Sequence, residues 1–167
     1  MSGSGQHGKS PSRVKLCDVQ RSDLEIFFQQ QLDPVANQMA AFTSADPASS
    51  EDFMARWERI MSDNEMIKRT VVLGERVIGH VVCFQRLGKP EITYWFGREY
   101  WGQGLATEAL QAFLRVVQRR PLYARAAADN GASLRVLEKC GFVVMADERA
   151  YANARGEKID ELILKLS

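Results

Sequence analysis

The residues best placed to do chemistry lie between Tyr94 and Leu110, YWFGREYWGQGLATEAL, where a strand pattern passes through a turn bracketed by Gly102 and Gly104 into a helix starting near Leu105. A junction of this kind suits a phosphate. Glycine lacks the Cβ that would hold a ligand off the backbone, and the first helical turn offers unpaired N–H groups and the positive end of the helix dipole. A pyrophosphate meets that need. The segment lacks the Gly-Lys-Ser/Thr ending of a nucleoside-triphosphate loop and the three spaced glycines of a dinucleotide fingerprint, so neither of those motifs accounts for it.

Trp101-Gly102-Gln103-Gly104-Leu105-Ala106 resembles the Arg/Gln-x-x-Gly-x-Gly/Ala loop with which the GNAT family of N-acetyltransferases binds acetyl-coenzyme A. Trp101 stands where that family usually has Arg or Gln. The form WG-x-G-x-ATEAL is similar to the branch that includes the ribosomal-protein alanine acetyltransferases, the RimJ/RimL-like enzymes. A second block, Asn130-Gly131-Ala132-Ser133 followed by LRVLEKCGF, resembles the family's Asn-x-x-Ser…Leu-Glu-Lys-x-Gly-Phe element. The similarity covers roughly residues 14 to 166. It implies an α/β (α+β) GNAT fold, a mixed, mostly antiparallel, splayed sheet of six to seven strands flanked by about four helices. It also implies acetyl-CoA-dependent transfer to a primary amine by direct attack, the acceptor being left open between a small-molecule amine and a protein N-terminus.

The same resemblance assigns roles. The pantetheine arm of acetyl-CoA is expected along Tyr94 to Gly97, with Trp95 beside it and the Phe96 N–H facing the thioester oxygen. The pyrophosphate is expected on Trp101, Gly102, Gln103, Gly104, Leu105 and Ala106, with the Thr107 hydroxyl nearby. Asn130 is expected to bind the pantetheine or order its pocket. Ser133 is the candidate acid for the departing thiolate, since Leu137 occupies the position where many GNAT enzymes carry a tyrosine. Asn130 and Ser133 are equally an ordinary N-cap pair, and the two readings are compatible.

Acetyl transfer also needs a base for the amine, and Glu91, at the start of the strand leading to the thioester, has that chemistry; its alternative is a solvated carboxylate after a proline turn. Glu108 fits the dipole of the cofactor helix or a structural pair. Asp147, Glu148 and Tyr151 belong to a late loop bordering the acceptor cleft in this fold. His80 alternates within an apolar strand and reads as a core histidine, and Trp57, Trp95 and Trp101 also suit packing. Cys83 and Cys140 lie in patterned core segments and read as inert thiols, so no acetyl-enzyme is required. The competing function class, suggested by Leu137, is a catalytically weak CoA-binding sensor or scaffold.

The elements that must position these residues fit one domain over residues 13–167, after a Gly/Ser-rich tail over residues 1–12. A strand over 14–19 precedes a helix capped by Ser22, then an Asp-Pro loop over 33–50 with a helical turn near 36–41, and a helix over 50–61. Strands follow at 67–73, 77–85 and 91–96, with a turn over 87–90. A helix over 105–118 is ended by Pro121; then come a strand at 122–127, a helix at 133–139 closed by Gly141, and strands at 142–145 and 159–166.

The 167-residue chain is 46% hydrophobic with a formal charge of +1, which argues against a surface dedicated to nucleic acid or anionic membrane. Its three cysteines are odd in number and widely spaced, so neither a disulfide framework nor a metal site is expected, and a reducing cytoplasm fits them. No apolar run approaches the roughly 20 residues that span a bilayer. A monomer or a homodimer suits the fold.

Overall fold

A computed structural model describes residues 12–167; the tail expected over residues 1–12 lies, Ser12 apart, outside the described residues. The elements run β1 (Val14–Cys17), α1 (Arg21–Gln31), α2 (Pro34–Ala40), α3 (Ser50–Ser62), β2 (Ile67–Leu73), β3 (Arg76–Arg86), β4 (Lys89–Phe96), α4 (Leu105–Val116), β5 (Leu122–Ala127), α5 (Gly131–Lys139), β6 (Val143–Ala152) and β7 (Glu157–Leu166). One seven-stranded sheet has the order β1-β2-β3-β4-β5-β7-β6. Every neighbouring pair is antiparallel except β4 and β5. This is the mixed, mostly antiparallel α/β architecture expected, with five helices.

Strand alternation divides the core between the two faces of the sheet. Val81 and Cys83 join one apolar cluster with Leu105, Leu110 and Phe113 of α4 and Leu137 of α5. Val82 joins the other, with Leu24 and Phe27 of α1 and Phe53 and Trp57 of α3. Helices thus cover both faces. Truncating a fully buried aromatic such as Phe113 to alanine costs about 3–5 kcal/mol. Gly79 lets β3 and β4 close, because a Cβ there would lie 2.3 Å from the Trp95 carbonyl oxygen.

Several boundaries differ from the sequence expectation for local reasons. Helix α1 starts at Arg21, one residue before the expected cap Ser22, because the Asp23 carboxylate reaches back to the Gln20 N–H at 2.8 Å. The turn expected over 87–90 is confined to Leu87 and Gly88, at φ 51° and 77°, a two-residue hairpin connection that lets Lys89 and Pro90 join β4. Helix α4 stops at Val116 rather than Gln118, and α5 begins at Gly131 rather than Ser133. The expected late loop is strand, since Asp147, Glu148 and Tyr151 pair with β7.

The segment between α2 and α3 is pinned from outside. The tip between β6 and β7 donates from the Ala154 N–H to the Ala41 carbonyl at 3.1 Å and from Asn153 Nδ2 to the Thr43 carbonyl at 2.7 Å. Ala41, fully buried at φ 66°, ψ −54°, is the centre of a γ-turn closed by the Phe42 N–H on the Ala40 carbonyl at 2.7 Å. That strained reversal delivers Phe42, Thr43 and Ser44 to the wall of a cavity.

Candidate active site

Strands β4 and β5 pair in parallel only through Glu91 with Tyr123 and Ile92 with Ala124. Beyond Ile92, β4 keeps its partner β3 as far as Phe96, while β5 continues on β7 as far as Ala127. The sheet therefore opens into a wedge. The Gly97 N–H donates to the Ile78 carbonyl of β3 at 2.9 Å, so by alternation the peptide groups of Tyr94 and Phe96 turn away from β3 toward the opening. A cavity of about 740 Å³ occupies it, bounded by Glu91, Tyr94, Phe96, Trp101, Asn130 and Ser133 among others.

At one end of β4 lies the glycine turn. Gly102 and Gly104 have φ of 73° and 75°, so glycine serves the left-handed conformation as well as close approach. Gly104 caps α4 with no side-chain acceptor, leaving the first N–H groups of the helix without a capping partner. Trp101 anchors the turn through Nε1, which donates to the Phe96 carbonyl at 3.0 Å, and Gln103 Nε2 donates to the Glu99 carbonyl at 3.0 Å. Leu105 is buried in the core, so only its backbone is available at the turn. The Thr107 carbonyl accepts from the Cys140 thiol at 3.8 Å. Trp101, Gly102 and Ala106 border the cavity, whereas Gln103, Gly104, Leu105 and Thr107 stand outside its lining.

Arg13 reaches the same turn, a contact invisible in the sequence. Its Nη2 donates to the Gln103 carbonyl at 2.8 Å, and its Nε donates to Glu108 at 2.7 Å. The Arg13 guanidinium holds the Glu108 carboxyl below its usual range, and the pair confirms Glu108 as structural.

Ser133 sits in the first turn of α5, where its N–H donates to Asn130 Oδ1 at 3.2 Å, the capping arrangement expected. Its Oγ is 2.7 Å from the Tyr94 hydroxyl. Desolvation pushes the Tyr94 phenol up to about 12, outweighing the Ser133 hydrogen bond, so it is a neutral donor at ordinary pH. Sequence reading treated Tyr94 only as backbone. Leu137, standing where a tyrosine is common, is buried in the core and does not border the cavity. Burial pushes the Cys140 thiol up to about 11 and raises Cys83 as well, which leaves both poor nucleophiles.

Glu91 is not a solvated carboxylate. It is buried, with Oε1 3.2 Å from Arg125 Nε and Oε2 3.2 Å from Arg86 Nε. Arg125 also binds Glu161 at 3.1 Å and Glu148 at 3.2 Å, so strands β3 to β7 contribute to one ionic cluster at the cavity's edge. Asp147 and Tyr151 are exposed on β6 and take no part in it. His80 packs between Phe27 and Trp57, at ring separations of 4.6 and 4.9 Å, and also borders the cavity. Burial first, and the Arg56 charge second, push it down to about 3. Trp57 is fully buried packing, and Trp95 is tied by its Nε1 to the Gln30 carbonyl at 3.2 Å.

A strand-edge wedge ending at a glycine turn and a bare helix N-terminus makes a cleft suited to an extended ligand that carries a phosphate. Residues 13–143 match the family described as Acetyltransferase (GNAT) domain, and the chain belongs to that family. It is an N-acetyltransferase, an enzyme that moves an acetyl group to an amine. It is 24% identical over 164 residues to the uncharacterized N-acetyltransferase p20 of Bacillus licheniformis, covering 92% of each chain. Among solved structures it resembles RimL, the ribosomal L7/L12 alpha-N-protein acetyltransferase in complex with coenzyme A. The TM-score there is 0.80 at 17% identity, over 93% of this chain and 94% of that one. It also resembles spermidine N-acetyltransferase from Vibrio cholerae in complex with CoA and spermine, at TM-score 0.79 and 18% identity, over 93% and 95%. Among the described residues, no helix is long and apolar enough to cross a membrane.

Proposed function

We propose that this protein uses acetyl-CoA as its cosubstrate and passes the acetyl group to a primary amine by direct attack in the wedge between β4 and β5. The observation that carries this is the continuity of the wedge. The Tyr94 and Phe96 peptide groups face it, the Tyr94–Ser133 hydroxyl pair lies along it, and the turn at Gly102 and Gly104 closes its end. An extended pantetheine arm could pair with β4 as an added strand, and solved structures of relatives with coenzyme A bound support that choice.

Each group then has a task. The N–H groups of the α4 N-terminus receive the pyrophosphate, with Arg13, ion-paired to Glu108, bracing the turn beside them through the Gln103 carbonyl. The Phe96 N–H is the donor for the thioester oxygen as it becomes an oxyanion. Ser133, backed by Tyr94, supplies the proton to the departing thiolate, and its two-hydroxyl chain compensates for Leu137. Glu91 is the base, acting through water: of its two cations Arg86 is half-exposed and can turn aside, freeing Oε2 while Arg125 stays. The form of the glycine turn supports placement near the RimJ/RimL-like branch.

The deciding experiment measures free thiol release from acetyl-CoA against a broad amine panel, alongside thermal shifts with acetyl-CoA, CoA, ATP and NAD. The reading expects amine-dependent thiol release and stabilisation by the two CoA species alone. Stabilisation by CoA with no transfer to any amine would convert it to a CoA-binding sensor.

A further inference from the structure

The cavity lining includes two arginines of α3, Arg56 and Arg59, and neither is ion-paired among the described residues. Arg56, on α3, borders the cavity and donates from Nη2 to Gln31 Oε1 at 2.9 Å, a neutral partner that is itself held by its Nε2 on the Pro47 carbonyl at 3.0 Å. Its guanidinium carbon lies 5.8 Å from the centre of the Phe53 ring. Among the described residues no carboxylate lies within ion-pairing distance of Arg56, while every other arginine at the Glu91 cluster is paired.

Burial by the surrounding protein lowers Arg56 from its ordinary value, and the like charge of Arg59, one turn along the same helix and also bordering the cavity, lowers it further. Arg56 nevertheless keeps an exposed surface, because what it faces is the cavity and not packed side chains. Two nearby acids are engaged otherwise: Glu58 of α3 binds Arg21, and Asp63, which follows α3 and borders the cavity, accepts the Glu65 N–H at 2.9 Å. An arginine that borders the cavity with only a neutral hydrogen-bond partner is available to an anion supplied by a ligand.

We infer that Arg56 anchors a carboxylate carried by the acceptor, so that the amine acetylated here belongs to a small amino-carboxylate molecule and not to a polyamine. This rests on the reading of the cavity as the site of acetyl transfer. The planar fork of a guanidinium matches a carboxylate in two parallel hydrogen bonds, and of the two arginines Arg56 is the one held in place, by Gln31. Met39, Phe42, Ile60 and Met66 of the lining suit a carbon skeleton, with Thr43, Ser44 and Asp63 among its polar members, and a polycation would meet Arg56 and Arg59 with like charge. The cavity must hold the pantetheine arm as well as the acceptor, and its volume of about 740 Å³ suits a small acceptor.

The test is calorimetric binding, with CoA present, of matched N-acetylated products that differ only in a terminal carboxylate or carboxamide, across side chains from small to aromatic. Spermidine and a short peptide series serve as further arms. The wild-type protein should bind at least one carboxylate about ten- to a hundredfold more tightly than its amide, the range for a charge-assisted hydrogen bond. Arg56→Gln should bring the pair within about twofold, Arg56→Lys should keep part of the preference, and both should bind CoA as the wild type does. Equal affinity for every matched pair, no measurable binding of any, a preference that survives in Arg56→Gln, or tighter binding of spermidine or peptides overturns the inference. Because the readout is product binding, it is decided separately from acetyl transfer, which is judged by thiol release.

Discussion

The Tyr94 hydroxyl stands 2.7 Å from Ser133 Oγ, joining β4 to the first turn of α5 across the opening in the sheet. A phenol held near 12 cannot take a proton at neutral pH but can replace one that Ser133 gives up. Ser133→Ala and Tyr94→Phe should each lower kcat, by about tenfold to a thousandfold, with little change in CoA affinity. Because the two act as one chain, the double variant should fall no further than the worse single one. Steady-state kinetics on the four proteins decides it, and additive losses would mean that the hydroxyls act independently.

Gly104→Val should weaken CoA binding through both effects of the new side chain, the strained φ of 75° and the obstruction of backbone approach. Arg13→Ala should weaken it more mildly and reduce the salt dependence of binding. Thermal shift against CoA concentration, at two ionic strengths, measures both. Unchanged CoA affinity in Gly104→Val would remove the pyrophosphate from this turn.

Glu91→Gln should reduce turnover most at low pH, where the acceptor amine is mainly protonated and needs the most help. Acceptors of lower amine pKa should partly restore the rate. The fold should persist, since Arg125 keeps Glu161 and Glu148. A pH–rate profile with paired amines reads this directly, and a wild-type profile in Glu91→Gln would move the base to ordered water or to Glu148.

His80 gives the fold an acid-sensitive element. Its folded value, near 3, lies below the ordinary 6.5, so between those pH values the unfolded chain binds the extra proton and stability falls as pH falls. Between pH 7 and pH 5 this single group should account for a loss of about 2 kcal/mol. Urea unfolding of the wild type and His80→Phe at the two pH values should show that much of the slope disappearing in the variant. An equal slope in both would place the acid sensitivity elsewhere.

Two features were readable from residue order alone, because both are local. The glycine turn and the Asn130–Ser133 cap need only near neighbours: two positive φ angles before an apolar helix, and a side chain bonding three residues along. The strands at Ile67–Leu73 and Leu122–Ala127 were equally legible, since Gly74 ends the first and Pro121 precedes the second. Where the expectation slipped, one long-range partner decided. Residues 147–151 are polar and read as loop, yet pairing with β7 makes them strand, and Glu91 reads as a surface acid until Arg86 and Arg125 close on it from β3 and β5. Tyr94 with Ser133, Arg13 with Gln103 and Arg56 with its empty surroundings depend on residues tens of positions apart meeting across a splayed sheet. Composition and spacing therefore determined the turn, the cap and the sequence of elements, while only tertiary packing decided which side chains share the cavity and which charges in it lack an ion pair, because burial and pairing are properties of the assembled surface.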